Sequence, residues 1–154
     1  MSTIKPNQAY SIECLHFDSE PAGRTLTVTG SEPGDPVLCD VNYHNKNQQF
    51  FLSPVKKSTG YNFTPVHPKS NIFVGLFTPG ARVISTPDQK QEFFLRKTHP
   101  IYPNVYQIFV EVGNEEYAFQ AEETSVRPGY PREITLQPSN PTNKCQMWRF
   151  VPVN

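Results

Sequence analysis

Three short runs in this chain share one pattern. Gln48-Gln49-Phe50-Phe51-Leu52, Gln91-Glu92-Phe93-Phe94-Leu95 and Gln146-Met147-Trp148-Arg149-Phe150 each read Gln-x-aromatic-x-apolar. At a period of two, the Gln, the aromatic and the last apolar residue share one face of a strand. Three such runs in 154 residues predict a threefold internal repeat.

The rest of each repeat can be drawn out around these anchors. Each unit opens on a Tyr-x-apolar strand: Tyr10-Ser11-Ile12, Tyr61-Asn62-Phe63 and Tyr106-Gln107-Ile108. A second strand follows at Leu26-Thr27-Val28, Ile72-Phe73-Val74 and Tyr117-Ala118-Phe119. Then comes a Pro-Gly pair: Pro33-Gly34, Pro79-Gly80 and Pro128-Gly129. Proline presets φ and glycine accepts a positive φ, which suits a tight turn. The third strand is Val37-Leu38-Cys39, Val83-Ile84-Ser85 and Ile134-Thr135-Leu136. The Gln-x-aromatic strand closes the unit. The repeats run over about 8–55, 60–98 and 104–153. The wider spacing of the last Gln predicts an insertion in the third unit, around Glu122–Arg132 and Pro138–Lys144.

Sixteen prolines, spread along the chain, argue against helix. The one long Pro-free window, Asn104 to Arg127, alternates apolar and polar residues. The expectation is an all-β chain of twelve strands forming a single β-trefoil domain over 1–154. Six strands would make a short barrel and six would make hairpins capping one end. One unit's apolar face is too small to be buried alone, so three close together. Phe50, Phe93 and Trp148 would meet near the barrel axis as core. Each matching Gln would bond backbone in its own unit, because a buried amide has to be paired.

The remaining composition sets bounds on function. A net charge of zero gives no electrostatic case for nucleic acid or an anionic membrane as partner. No apolar run reaches the length of a membrane span. The N-terminal MSTIKPNQAY lacks a signal-peptide core, which predicts a cytoplasmic protein or one trimmed of its leader. Cys14, Cys39 and Cys145 are an odd set. The expectation is three buried thiols, with a Cys14–Cys39 or Cys39–Cys145 bridge left open. The histidines, His16, His44, His67 and His99, show no metal-ligand spacing. Neither a nucleophile elbow, a phosphate-cradling glycine loop nor a zincin motif is present. No cofactor and no enzymatic activity are expected.

The Gln-x-Trp-like ending of every unit resembles the ricin-B-type β-trefoil superfamily. The Tyr-x-Ile opening and the CQMWRF ending resemble the small mushroom β-trefoil proteins. That group includes lectins and also protease inhibitors such as cospin, cnispin and the mycocypins. The resemblance implies a defence role in either case.

In ricin-type lectins the second strand commonly reads Leu-Asp-Val, its Asp taking two sugar hydroxyls. The matching positions are taken here as Leu26-Thr27-Val28, Ile72-Phe73-Val74 and Ala118-Phe119-Gln120, and none is Asp. A glycan partner would then need another site, for which Tyr43, His44, Asn45 and Asn47 are the candidates. An inhibitor instead needs a rigid loop that enters a protease cleft in extended form. A trypsin-like protease would also need an Arg or Lys for its acidic pocket. Arg24 with Thr25 after it ranks first, then Arg82, then Lys57. Lys144 is a further loop base, and Arg127 is followed by an unfavourable proline. Asn71 would be the bait for an asparaginyl endopeptidase. The leading expectation is an inhibitor of trypsin-like serine proteases, the alternative a lectin without the usual Asp-based site.

Overall fold

The computed structural model describes residues 4–75, 79–98, 102–123 and 130–154. Twelve strands lie among them: β1 Ala9–Cys14, β2 Arg24–Val28, β3 Asp35–Val41, β4 Phe50–Pro54, β5 Tyr61–Pro65, β6 Asn71–Val74, β7 Val83–Thr86, β8 Phe94–Lys97, β9 Val105–Val112, β10 Glu115–Ala121, β11 Arg132–Pro138 and β12 Trp148–Val153. Every predicted strand is present in the predicted order. The described residues form no α-helix, only three 3-10 turns at Leu15–Phe17, Lys46–Gln48 and Lys144–Gln146.

Six strands close on themselves. The antiparallel order is β5-β4-β1-β12-β9-β8. The gap between β8 and β5 is sealed at Tyr61 and Phe93, which exchange two backbone hydrogen bonds of 2.8 Å each. The other six form hairpins β2–β3, β6–β7 and β10–β11. These hairpins pair in a ring: β3 with β7, β11 with β3, and Arg82 with Thr135 ahead of β7. A closed barrel has no free edge, so short strands leave few backbone groups unpaired.

The Pro-Gly turns tie neighbouring repeats together. Gly34 has φ 91° and Gly80 has φ 85°, the left-handed region where glycine carries no Cβ penalty. The Gly34 N–H donates to Ser85 O at 3.0 Å, and the Gly80 N–H donates to Leu136 O at 2.7 Å. Each turn therefore caps the third strand of the next repeat. The third pair, Pro128-Gly129, lies outside the described residues.

The barrel interior is filled by residues from all three units. Phe50, Phe93 and Trp148 are fully buried in one core cluster. A run of edge-to-face rings crosses it, from Phe119 to Phe93 (5.0 Å), Phe63 (5.5 Å), Phe150 (6.4 Å) and Tyr106 (5.5 Å). Edge-to-face geometry sets each ring's positive edge against the next ring's negative face. Of the three anchors, Phe93 takes part in this run. Trp148 packs beside it and donates its indole N–H to Phe119 O at 3.1 Å.

Two expectations need correction. Gln48 and Gln146 do not begin strands; each ends a 3-10 turn. Their amides hold the backbone that leads into the turn, the Tyr43 N–H and Val41 O for Gln48 and the Asn140 N–H and Pro138 O for Gln146, and the strand starts only at the aromatic. The third repeat's extra length also lies largely in its strands. β9, β10 and β11 have 8, 7 and 7 residues, against 5, 4 and 4 in β5, β6 and β7. The segment 122–132 is described only in part.

All three cysteines are free and buried. Cys14 lies against the backbone of the last 3-10 turn, 3.7 Å from Lys144 O and 3.9 Å from Cys145 O. Burial, reinforced by Cys14, raises the Cys39 thiol well above its ordinary pKa. Burial, then the neighbouring Cys14 and Glu123, pushes Cys145 up to about 12. All three are buried out of a reagent's reach, and the raised Cys39 and Cys145 hold little of the reactive thiolate, so none should label under native conditions at pH 8. A thiol reagent is expected to find no group in the folded protein and all three in denaturant.

Candidate functional site

The sequence-picked basic residues fall in different places. Arg24 is the first residue of β2, not part of a projecting loop, and only 3% of it is exposed. Its Nε donates to Glu20 Oε1 at 3.0 Å and its Nη1 to Tyr130 O at 3.1 Å, with the guanidinium 5.4 Å from the Phe17 ring centre. Thr25 is fully buried and donates to Ile12 O at 2.9 Å. Held inside the molecule, neither side chain can reach into a protease. The expectation of an exposed Arg24 loop is corrected: Glu20, one turn back in the chain, and Tyr130, over a hundred residues on, fold over it.

Lys57 is exposed, but its φ is 61°. A substrate-like residue is extended, with negative φ. Arg82 has 64% of its side chain exposed and pairs with Glu133 at 3.1 Å. Its segment is pinned to β11, with the Leu136 N–H donating to Ala81 O at 2.7 Å. Asn71 opens β6, and its Nδ2 donates to Pro87 O at 3.4 Å. Lys144 is exposed at the start of its 3-10 turn. Arg127 and His99 lie outside the described residues.

The polar loop of the first repeat is mostly engaged with itself. Asn47 Nδ2 donates to Val28 O at 3.0 Å, and Asn45 caps the turn Lys46–Gln48. Gln48 Oε1 accepts from the Tyr43 N–H at 2.9 Å. Tyr43 itself stands 61% exposed and His44 sits at φ 59°. Its amides stabilise the loop, whose exposed residues are Tyr43, His44, Asn45 and Lys46.

The second-strand comparison shifts by one residue in the third repeat. Leu26 pairs with Cys39, Ile72 with Ser85 and Phe119 with Leu136. Gln120, not Phe119, therefore stands with Thr27 and Phe73. No carboxylate occupies the position in any repeat. Gln120 Oε1 accepts from Gln146 Nε2 at 3.0 Å and from Asn143 Nδ2 at 3.3 Å.

That cluster continues into an open cleft of about 760 Å³. Its walls are Arg96 of β8, Gln107 of β9, Glu115 and Glu116 of β10, and Ser139 with Pro141 beyond β11. Gln107 is fully buried and is the pivot. Its Nε2 donates to Asn140 O at 3.2 Å and to Gln146 Oε1 at 3.0 Å. Its Oε1 accepts from Ser139 Oγ at 3.0 Å and from Arg96 Nη2 at 3.3 Å. Arg96 also grips Glu116 with both Nη groups and lies 4.4 Å over the Phe109 ring. The hydrogen bond from Arg96 holds the Glu116 carboxyl below its ordinary pKa, so it stays an acceptor into mild acid. Tyr117 donates its hydroxyl to Glu115 Oε2 at 2.6 Å. Both acids are thus oriented before any ligand arrives, beside the proline rings of Pro138 and Pro141.

Sequence reasoning missed Gln107, Arg96 and Glu116. Gln107 did carry a signal, a polar residue between Tyr106 and Ile108 in the middle of a predicted strand. The described residues contain no His, Cys, Asp or Glu cluster able to hold a metal ion. No helix in them is long and apolar enough to cross a membrane.

A six-stranded barrel capped by three hairpins in threefold arrangement is a β-trefoil, and the chain has that fold. It is similar to the Macrolepiota procera ricin B-like lectin solved in complex with lactose, at 18% identity and TM-score 0.76 over 97% of this chain and 99% of that one. It is similar to the Rhizoctonia solani agglutinin at 12% identity and TM-score 0.78, over 99% and 100%. It also matches ThreeFoil, a designed threefold-symmetric protein, at 19% identity and TM-score 0.75, over 94% and 99%. No family model matches the chain, and no curated protein matches it in sequence. At these identities the likeness is one of fold.

Proposed function

We propose that this protein binds carbohydrate through the cleft of its third repeat. The observation that carries the reading is the set of oriented polar groups lining that cleft. Glu115 and Glu116 offer acceptors to adjacent hydroxyls, while Asn114 and Ser139 offer both donor and acceptor atoms. Pro138 and Pro141 supply the apolar face that a sugar ring needs on its C–H side. Because Arg96 is engaged by Glu116, the cleft suits a neutral sugar better than an acidic one. The Macrolepiota lectin, whose structure holds lactose, supports a glycan ligand on this scaffold.

A glycan array followed by calorimetry tests the reading. Binding of a neutral glycan is expected, and Glu115→Gln with Glu116→Gln together should weaken it at least tenfold without loss of fold. Silence across the array at millimolar sugar would overturn it, as would binding that ignores both substitutions. Inhibition of a trypsin-like protease is the second reading, and the pinned, exposed Arg82 is the observation that favours it. Titrating trypsin with the protein separates the two readings.

A further inference from the structure

A second cavity, of about 350 Å³, lies where the first two repeats meet, and none of its residues is shared with the cleft. Phe51 of β4 and Pro87 flank it, and Lys69 and Lys90 stand at its rim. Both lysines are exposed, and neither enters a salt bridge among the described residues. No carboxylate lines the cavity. Ser70 belongs to its lining, is only 4% exposed, and its Oγ has no hydrogen-bond partner. A buried hydroxyl left unpaired is costly and uncommon in a folded protein.

Two free ammonium groups beside an unsatisfied hydroxyl describe a place for an anion. We propose that this cavity binds the carboxylate or sulfate group of an acidic saccharide, with Lys69 and Lys90 neutralising the charge. Ser70 Oγ donates to an anionic oxygen, which supplies the partner it lacks. Lysine acts as a point charge without the fork geometry of arginine, so both anion types fit. Phe51 and Pro87 give the sugar ring its apolar support. The saccharide part rests on the glycan reading above; the selectivity for an anion rests on this cavity alone.

Amide chemical shifts of the whole chain, titrated with glucose, glucuronate and glucose 6-sulfate, test this directly. Glucuronate and glucose 6-sulfate should move the amides of Lys69, Ser70, Asn71 and Lys90 saturably, and glucose should not. A Lys69→Ala, Lys90→Ala double variant should weaken both acidic sugars at least tenfold, and added salt should do the same. Ser70→Ala should weaken them about threefold while leaving the melting temperature undiminished. Equal response to glucose, or acidic-sugar binding that survives the double variant, would overturn the site. Equal affinity for inorganic sulfate and acetate would overturn its saccharide part. Because the two sites share no residue, failure of the array leaves this titration unaffected.

Discussion

Replacing Trp148 with alanine is expected to cost about 3–5 kcal/mol of stability, the range for emptying a buried large aromatic. Trp148 is fully buried at the start of β12, where the first and third repeats meet through β1 and β9. Its removal leaves a cavity in the barrel and strips Phe119 O of its indole partner. Urea denaturation should show the loss as a lower midpoint. A change under about 1 kcal/mol would mean that Trp148 is not the core residue its burial indicates. Loss of sugar binding without loss of stability would make it part of a site instead.

The second large effect is expected at Gln146. Its side chain accepts from the Asn140 N–H at 2.8 Å and donates to Pro138 O at 3.0 Å, besides meeting Gln107 and Gln120. Alanine there breaks one fully buried hydrogen bond, from Gln107, and three partly buried ones, a buried group left unsatisfied being worth about 1–3 kcal/mol. A total near 3 kcal/mol is expected, together with weaker glycan binding, because Gln107 loses the neighbour that orients it. The same substitution at Gln91 should cost about 1 kcal/mol. Gln91 is only half-buried and its side chain accepts from the Val74 N–H at 2.6 Å. Thermal melts of the two variants decide the comparison. Equal losses would mean that these two anchors are equivalent despite their different networks.

Much of the fold was legible because its signals are local. A Gln-x-aromatic run, a Pro-Gly pair and an alternating strand each declare themselves within a few residues. The threefold spacing then leaves few ways to close the chain. Gly34 and Gly80 show this directly, since their positive φ values are what the Pro-Gly pairs require. The inward alternation of Phe50 with Leu52, and of Trp148 with Phe150, follows from the period of two.

The sites were much less legible. Arg24-Thr25 reads like any strand-edge segment until Glu20 and Tyr130 O close around the guanidinium. The second-strand position in the third repeat is misplaced by one residue, because Ala118 is apolar like Tyr117, Phe119 and Ala121 and blurs the alternation that Gln120 marks. Only pairing with β11 sets the register. The cleft joins Arg96, Gln107, Glu116 and Ser139, which come from four separate segments of the chain.

By itself, then, the sequence determined the strand content, the repeat count, the turns at Pro33-Gly34 and Pro79-Gly80, and the lack of a carboxylate at the Thr27, Phe73 and Gln120 positions of the second strands. These are properties of residue type and spacing, which the backbone obeys locally. Which charges are buried, which hydroxyls are left unpaired and which acids are held by neighbouring side chains were decided by the tertiary structure. Burial and pairing depend on distances between residues far apart in the chain, and only closure of the barrel sets those distances.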